Sequence, residues 1–545
     1  MSTNAFACVP APVNEPVKGY APGSPERESL RLRLTEIAAE RLDIPCIIGG
    51  KDVRTGRTAT AVMPHDHSHV LADVHLAGPD EMQAAIEAAA EAWQSWSRLP
   101  WEERLAVFLK AAELLTGPWR DTLNAVTMLN QSKTCHQAEI DAAVELIDFW
   151  RFNPVFAAQL YGQQPVSTSA YWDRVDYRPL EGFVYAVTPF NFTSIAGNLP
   201  TSPAMMGCSA VWKPASTATV SAYFVMRLLQ EAGLPDGVIN LVYGKGSEVG
   251  DIPLADARLA GVHFTGSTAV FQGMWRQIGA NIERYANYPR IVGETGGKDF
   301  IIAHESCDVD ELVASTVRGA FEYQGQKCSA ASRLFVPDSI WPAVRERLVA
   351  AVESIRMGDV RDFSNYMGAV IDAAGFATQK QAIDDAKADP SCRIVVGGGC
   401  DDSVGYFVEP TIIETSDPDF RTLKEELFGP VLTVFVYPAR DWDATLRMVD
   451  TATPYGLTGA VFAGDRYAVV QALDALRHAA GNFYVNDKPT GAIVGQQPFG
   501  GSRASGTNDK AGSIWNLIRW TTPRTIKEQF VPPKHYGYPF LTHES

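Results

Sequence analysis

One of the eight cysteines, Cys328, stands in the stretch Gly319-Ala-Phe-Glu-Tyr-Gln-Gly-Gln-Lys-Cys-Ser-Ala-Ala-Ser-Arg333, among small residues and just past Gly325. An apolar stripe at helical spacing (Leu312, Val313, Thr316, Val317, Ala320) precedes it, and the β-rich run Arg333-Leu-Phe-Val336 follows. A small-residue loop between regular elements can present a thiolate and let backbone N–H groups approach a reacting carbon. A lone cysteine is more often a buried structural thiol. Here a second glycine-rich turn, Val292-Gly-Glu-Thr-Gly-Gly-Lys298, supplies a carboxylate, Glu294. A nucleophile and a base are the minimum set for covalent catalysis at a carbonyl.

The elements that must position them read as α/β. Phe183-Val-Tyr-Ala-Val-Thr188 is a buried strand ended by Pro189, followed by a helix to about Gly207. A strand at 209–213, a helix near 217–232, strands at 237–242 and 261–264, and a helix from Ser267 come next. The second half repeats the alternation: helix 308–323, strand 332–336, helix 338–355. Such alternation predicts parallel sheets that bind ligands at the strands' C-terminal ends. Upstream, residues 1–30 read as an extended arm, and helices are expected at 80–96 (N-capped by Asp80), 101–116 and 136–152. Ile140, Val144 and Ile147 share one face of the last, with Glu139 at its start. Residues 158–180 read as a β-hairpin leaving the main body, and the tail from Pro498 as irregular. His65, His67 and His69 alternate but lack further ligands at metal spacing, so an exposed cluster is expected and no metal.

His263-Phe-Thr-Gly-Ser-Thr268 reads as a strand end, a glycine turn and a helix start, which would offer free N–H groups to a pyrophosphate. Gly244-Lys-Gly-Ser-Glu-Val-Gly250 looks like a dinucleotide fingerprint, but its third glycine comes one residue late, and no cofactor role is assigned to it. With a dinucleotide present, a thiolate can add to an aldehyde and the thiohemiacetal can lose hydride to a nicotinamide. The resulting thioester is then hydrolysed by an activated water. That route needs a cysteine, an amide donor, a carboxylate and a dinucleotide site, but no histidine. The flanking histidines, His304 and His478, belong to no hydrolase motif.

A length of 545 residues implies several domains, and 46% apolar with 20% charged residues is a soluble globular composition. The net charge of −16 argues against nucleic-acid or anionic-membrane partners. The scattered cysteines, none in a C-x-x-C pair, indicate a reducing compartment. The N-terminal residues resemble neither a secretory nor a transit signal, and no long apolar run occurs, so a cytoplasmic location is expected.

Taken in order over nearly the whole chain, these motifs resemble the aldehyde dehydrogenase superfamily. The resemblance implies a Rossmann-type NAD-binding domain (1–157 and 181–297), an α/β catalytic domain (298–495), and a β-hairpin oligomerisation flap with a C-terminal tail (158–180 and 496–545). It implies Cys328 as nucleophile and Glu294 as general base. Asn191, in Thr188-Pro-Phe-Asn-Phe192, would be the oxyanion donor. For NAD it implies Lys213 and Ser216 at the adenosine ribose, Gly266 and Ser267 at the pyrophosphate, and Glu426 with Phe428 at the nicotinamide. Ser216 stands where many NAD-specific members carry Glu.

Three stretches are similar to the branch of that family that oxidises L-glutamate γ-semialdehyde, the second step of proline breakdown. They are Gln137-Ala-Glu-Ile-Asp-Ala142 with Ile147-Asp-Phe-Trp-Arg-Phe-Asn153, Gly325-Gln-Lys-Cys-Ser-Ala330, and Asn486 through Gly501. This likeness implies backbone N–H groups of Gly491 and Ala492, Ser329 and Lys327 for the substrate carboxylate. Phe192 and Phe499 would sandwich the methylenes, and Glu139 would support the pocket or balance Lys327. It also implies a homodimer or larger assembly and a proline dehydrogenase as upstream enzyme. The length leaves no room for the fused proline-oxidising domain of some relatives. The alternatives are an enzyme for another small semialdehyde such as succinate semialdehyde, a non-catalytic binding protein and a cysteine hydrolase.

Overall fold

The computed structural model describes residues 7–542. Two seven-stranded sheets organise them. The first runs Arg290–Glu294, Leu259–Thr265, Phe183–Thr188, Ser209–Pro214, Ile239–Leu241, then Cys46–Ile48 and Lys51–Val53, with its first five strands parallel. Chain order reverses between Phe183–Thr188 and Leu259–Thr265, and such a switch point opens a crevice at the strands' C-terminal ends. The second sheet runs Cys392–Val396, Thr411–Thr415, Val431–Tyr437, Ala331–Pro337, Asp299–Ala303, Thr458–Phe462 and Asn482–Val485, with only its first strand antiparallel. Both centre on fully buried aliphatic and aromatic residues, including Trp212, Tyr185 and Phe183 in one and Phe300 and Leu334 in the other. No helix among the described residues is long and apolar enough to cross a membrane.

Several local expectations are corrected. The arm is not extended to residue 30, because a helix, Pro25–Ala39, starts within it. Gly78, not Asp80, caps Pro79–Trp96: its N–H donates to Glu81 Oε2 at 2.6 Å, and Pro79 takes the first helical position, where its missing N–H costs nothing. The helix expected at 136–152 extends to Tyr161 and carries a π turn at Glu139–Val144. Tyr171–Pro179 does not fold back as a hairpin; it pairs antiparallel with Thr521–Gln529, so part of the supposedly irregular tail is strand. Just before that strand the tail packs on the body, where Leu517 and Trp520 are buried in the first core. The three alternating histidines go to separate partners: buried His65 to Ser132, His67 to the Asp402 carbonyl, and His69 to the Ala38 carbonyl.

Candidate active site

Cys328 lies where two cavities meet and lines both. Its loop is held in an unusual conformation. After the helix Val309–Phe321, Tyr323 (φ 51°), Gln324 (φ 53°) and Gly325 (φ 65°) are all left-handed. Left-handed backbone costs an ordinary residue about 1–2 kcal/mol, so neighbours must impose it. Gln324 donates to the Ser132 and Ala369 carbonyls at 3.0 and 2.8 Å and accepts from the Gly368 N–H at 3.1 Å. Only glycine fits at 325, where a Cβ would come within 2.3 Å of the Gly429 carbonyl oxygen.

Burial pushes the Cys328 thiol well above its usual range, and the carboxyls of Asp299, Glu426 and Glu294 push the same way. Glu294 is likewise raised well above the carboxylate range by burial, offset in part by the Gly501 N–H and Lys510. The Gly501 N–H reaches Glu294 Oε2 at 2.8 Å. A Cβ at Gly500 or Gly506 would sit 3.0–3.1 Å from the same carboxyl, so the tail wraps it with bare backbone. Burial thus shifts both groups toward their protonated forms, and each must lose its proton before the thiolate can attack or the carboxylate can take a proton from water. Buried Asn191 donates one amide hydrogen to the Gln326 carbonyl at 3.1 Å, which leaves the other for the cavity. The Cys328 main-chain N–H has no internal acceptor among the described residues. An amide and a backbone N–H of this kind make an oxyanion site.

The first cavity, about 800 Å³, opens at the switch point and is lined by Lys213, Gly266, Ser267, Glu426 and Phe428. Its polar groups suit a dinucleotide. The Lys213 ammonium has no carboxylate partner among the described residues, and burial lowers its pKa. Ser267 caps Thr268–Ala280 through the Val270 N–H, and the Thr268 and Ala269 N–H groups have no internal acceptor. Glu426 accepts from the Gly297 N–H at 2.9 Å and is pushed up to about 7 by burial. Phe428, at φ 59°, meets Phe190 edge-on at 5.6 Å. Two expectations change here. Ser216 is exposed and does not line the cavity, because the strand Ser209–Pro214 ends before it and the chain turns outward. Conversely, Gly246, Ser247 and Gly250 of the dismissed glycine-rich stretch form part of the wall, as a short helix alongside the crevice and not as a turn beneath a phosphate.

The second cavity, about 590 Å³, is lined by Phe192, Lys327, Ser329, Gly491, Ala492 and Phe499. The Gly491 and Ala492 N–H groups have no internal acceptor among the described residues, and Ser329 Oγ pairs with Thr490 Oγ1 at 2.7 Å. Glu139 is not in this wall. It is fully buried behind it, bonded to Arg120, Asn124, Tyr20 and the Lys18 N–H. Nor does it balance Lys327, whose ammonium lies 3.7 Å from Asp141 and 3.6 Å from Glu322. Seven acids among the described residues line the cavity, Glu15, Asp141, Glu145, Asp148, Glu294, Glu322 and Asp509, and among them Asp141, Glu145 and Asp148 follow one another at the spacing of one helix face. Burial pushes Glu145 up to about 8, while a hydrogen bond from Ser194 works against that. Fully buried Lys133 was also missed. It pairs with Asp141 at 2.7 Å and lies over the rings of Phe192 at 4.5 Å and Tyr323 at 4.3 Å, which ties the cavity wall to the left-handed loop.

The model of the aldehyde dehydrogenase family matches residues 53–526. The chain belongs to the aldehyde dehydrogenase family. This family member is 51% identical over 544 residues to the mitochondrial delta-1-pyrroline-5-carboxylate dehydrogenase of Dictyostelium discoideum, covering 99% of this chain and 98% of that one. To the Homo sapiens protein of the same name it is 49% identical over 529 residues, covering 97% and 94%. Its fold matches the crystal structure of the Mycobacterium tuberculosis delta-pyrroline-5-carboxylate dehydrogenase bound with NAD at a TM-score of 0.96 and 54% identity, covering 99% and 100%. The expectation of a cytoplasmic location is overturned by the two curated relatives, both named mitochondrial and both similar along almost the full chain.

Proposed function

We propose that the protein oxidises L-glutamate γ-semialdehyde, the open form of 1-pyrroline-5-carboxylate, to L-glutamate with NAD. The observation that carries this reading is the second cavity. From Cys328 it extends to two free N–H groups, at Gly491 and Ala492, and to a buried acid, Glu145. A substrate with an α-carboxylate, an α-ammonium and a terminal aldehyde satisfies all three. Burial raises the Glu145 carboxyl to about 8, and an ammonium group beside it would favour its ionised form.

Cys328 adds to the aldehyde carbon while the Asn191 amide and the Cys328 N–H hold the oxyanion. Lys213, Gly266 and Ser267 would hold the adenosine and pyrophosphate of the cofactor, and Glu426 and Phe428 its nicotinamide end. When bound, NAD supplies the hydride acceptor. The thioester left on Cys328 is attacked by a water whose proton Glu294 takes, and glutamate leaves with the thiol restored. In domain terms the 181–297 sheet is the cofactor side and the 298–495 sheet the catalytic side. We further assign the Tyr171–Pro179 and Thr521–Gln529 ribbon to a homodimer or larger assembly, and a proline dehydrogenase to the supply of substrate.

Succinate semialdehyde is the second reading; it shares the carboxylate but leaves Glu145 without a cation. The test is initial-rate NAD reduction with both aldehydes, for wild type and Cys328→Ala. Preference for glutamate γ-semialdehyde, lost with a fall on the order of 10⁴-fold or more in the variant, is expected. Turnover of succinate semialdehyde alone would reject the substrate and keep the mechanism.

A further inference from the structure

Residues 14–20 run along the second cavity, and Asn14 and Glu15 bond to partners far away in sequence. Asn14 Nδ2 donates to Asp148 Oδ2 at 2.8 Å and to the Val494 carbonyl at 2.8 Å, and Asn14 Oδ1 accepts from Gln496 Nε2 at 3.1 Å. One side chain thus joins the helix Glu145–Tyr161 to the loop that carries Gly491 and Ala492. Asn14, Glu15 and Val17 themselves line the cavity. The segment is fastened after Asn14 as well. The Glu15 N–H donates to Asp148 Oδ1 at 2.8 Å, and the Glu15 carboxylate takes Arg151 at 2.8 Å and Arg120 at 2.5 Å. Further along, the Lys18 N–H and the Tyr20 hydroxyl both donate to Glu139, at 2.8 and 2.7 Å. None of these arm residues lines the first cavity.

We infer that Asn14 is a positioning residue for substrate selection. It sets the distance between the N–H pair at 491–492 and the carboxyl of Glu145, and with it the charge pattern that fits a chain ending at Cys328. This inference rests on the function proposed above. An amide is the side chain the place requires: both of its hydrogens and its oxygen are used. Aspartate would face two acceptors with a third, and alanine would leave the loop and the helix without their link.

The experiment compares glutamate γ-semialdehyde with pentanal, which has the same carbon count and neither charged group, at saturating NAD. Wild type is expected to prefer the charged aldehyde. In Asn14→Ala the KM for glutamate γ-semialdehyde should rise about tenfold, the loss of one to two net hydrogen bonds, while its kcat and the kcat/KM for pentanal stay within about twofold. Gln496→Ala breaks only the exposed link and should move the same ratio about threefold, which decides the matter if Asn14→Ala is insoluble. Equal losses with both aldehydes would reduce Asn14 to general support of the fold and overturn the proposal, as would an unmoved ratio. A wild type without preference would remove both this proposal and the function on which it rests. A preference in wild type that the variants leave intact would remove this proposal alone.

Discussion

The first cavity offers backbone from turns contiguous in sequence, Gly266–Ser267 and the Gly296–Gly297 turn under Glu426, beside the side chains of Lys213 and Glu426. The second draws side chains from an N-terminal arm, two helices, the Cys328 loop and a late loop, and its Lys327 and Asp141 stand in a buried cluster of ion pairs with Lys133 and Glu322. Backbone turns suit a ligand recognised by phosphate and ring, whose shape does not vary. Paired side chains suit a small ligand that must be told apart from its neighbours. The ion pairs around Lys133, Asp141 and Lys327 are a weak source of stability, because desolvation offsets most of their attraction. They fix where Phe192 and the Cys328 loop stand.

That contrast can be broken in graded ways. After the loss of Cys328, the largest effect is expected at Glu294. Glu294→Gln should slow steady-state turnover by about 10²–10⁴-fold and leave a burst of reduced nicotinamide equal to the enzyme concentration, seen in rapid mixing. No burst would mean that Glu294 acts before the thioester. The wild-type profile gives the sign. Burial raises both Glu294 and Cys328, which moves the ionised forms that the mechanism needs to higher pH, so the rate should climb as pH rises. A rate that falls instead would contradict the assignment.

A smaller, selective effect is expected at Glu145. Glu145→Gln should raise the KM for glutamate γ-semialdehyde about tenfold, a change of roughly 1.4 kcal/mol, and change that for succinate semialdehyde much less. Equal changes would show that the second cavity does not read the ammonium. The smallest concerns the cavity of backbone turns. Ser216→Ala should leave the KM for NAD within about twofold, since that side chain is exposed and outside the lining. A larger rise would put the adenosine end elsewhere.

The same contrast explains what could be read in advance. Cys328, Glu294, Asn191 and the Thr265–Ser267 turn sit in short motifs where a strand end, a glycine and a reactive group follow one another, so their chemistry is local. Most strands of the first sheet, and 332–336 in the second, were legible from apolar runs such as 183–187, as a doubly covered strand requires, while the other strands of the second sheet were not. Asn14, Lys133 and Glu145 were not legible, because each matters through a partner far along the chain. Their one local signal was the spacing of Asp141, Glu145 and Asp148 along a helix face. Glu139, which the resemblance points to instead, opens the same helical stretch but does not line the cavity. The ribbon was half legible: the strand at 171–179 has the right alternation, but its partner lies at 521–529.

The backbone that cradles Glu294 comes from residues 500–506, and Trp520 closes the first core by packing on His263 at 4.7 Å. A ribosome makes the chain from the other end. The carboxyl at residue 294 therefore waits, without its cradle, until residues 500–506 have emerged as well. A chain broken off before them has Cys328 and most of both sheets, yet it lacks the groups that set that carboxyl in place. The order of synthesis in this way withholds a finished site from any fragment that stops short of residue 506.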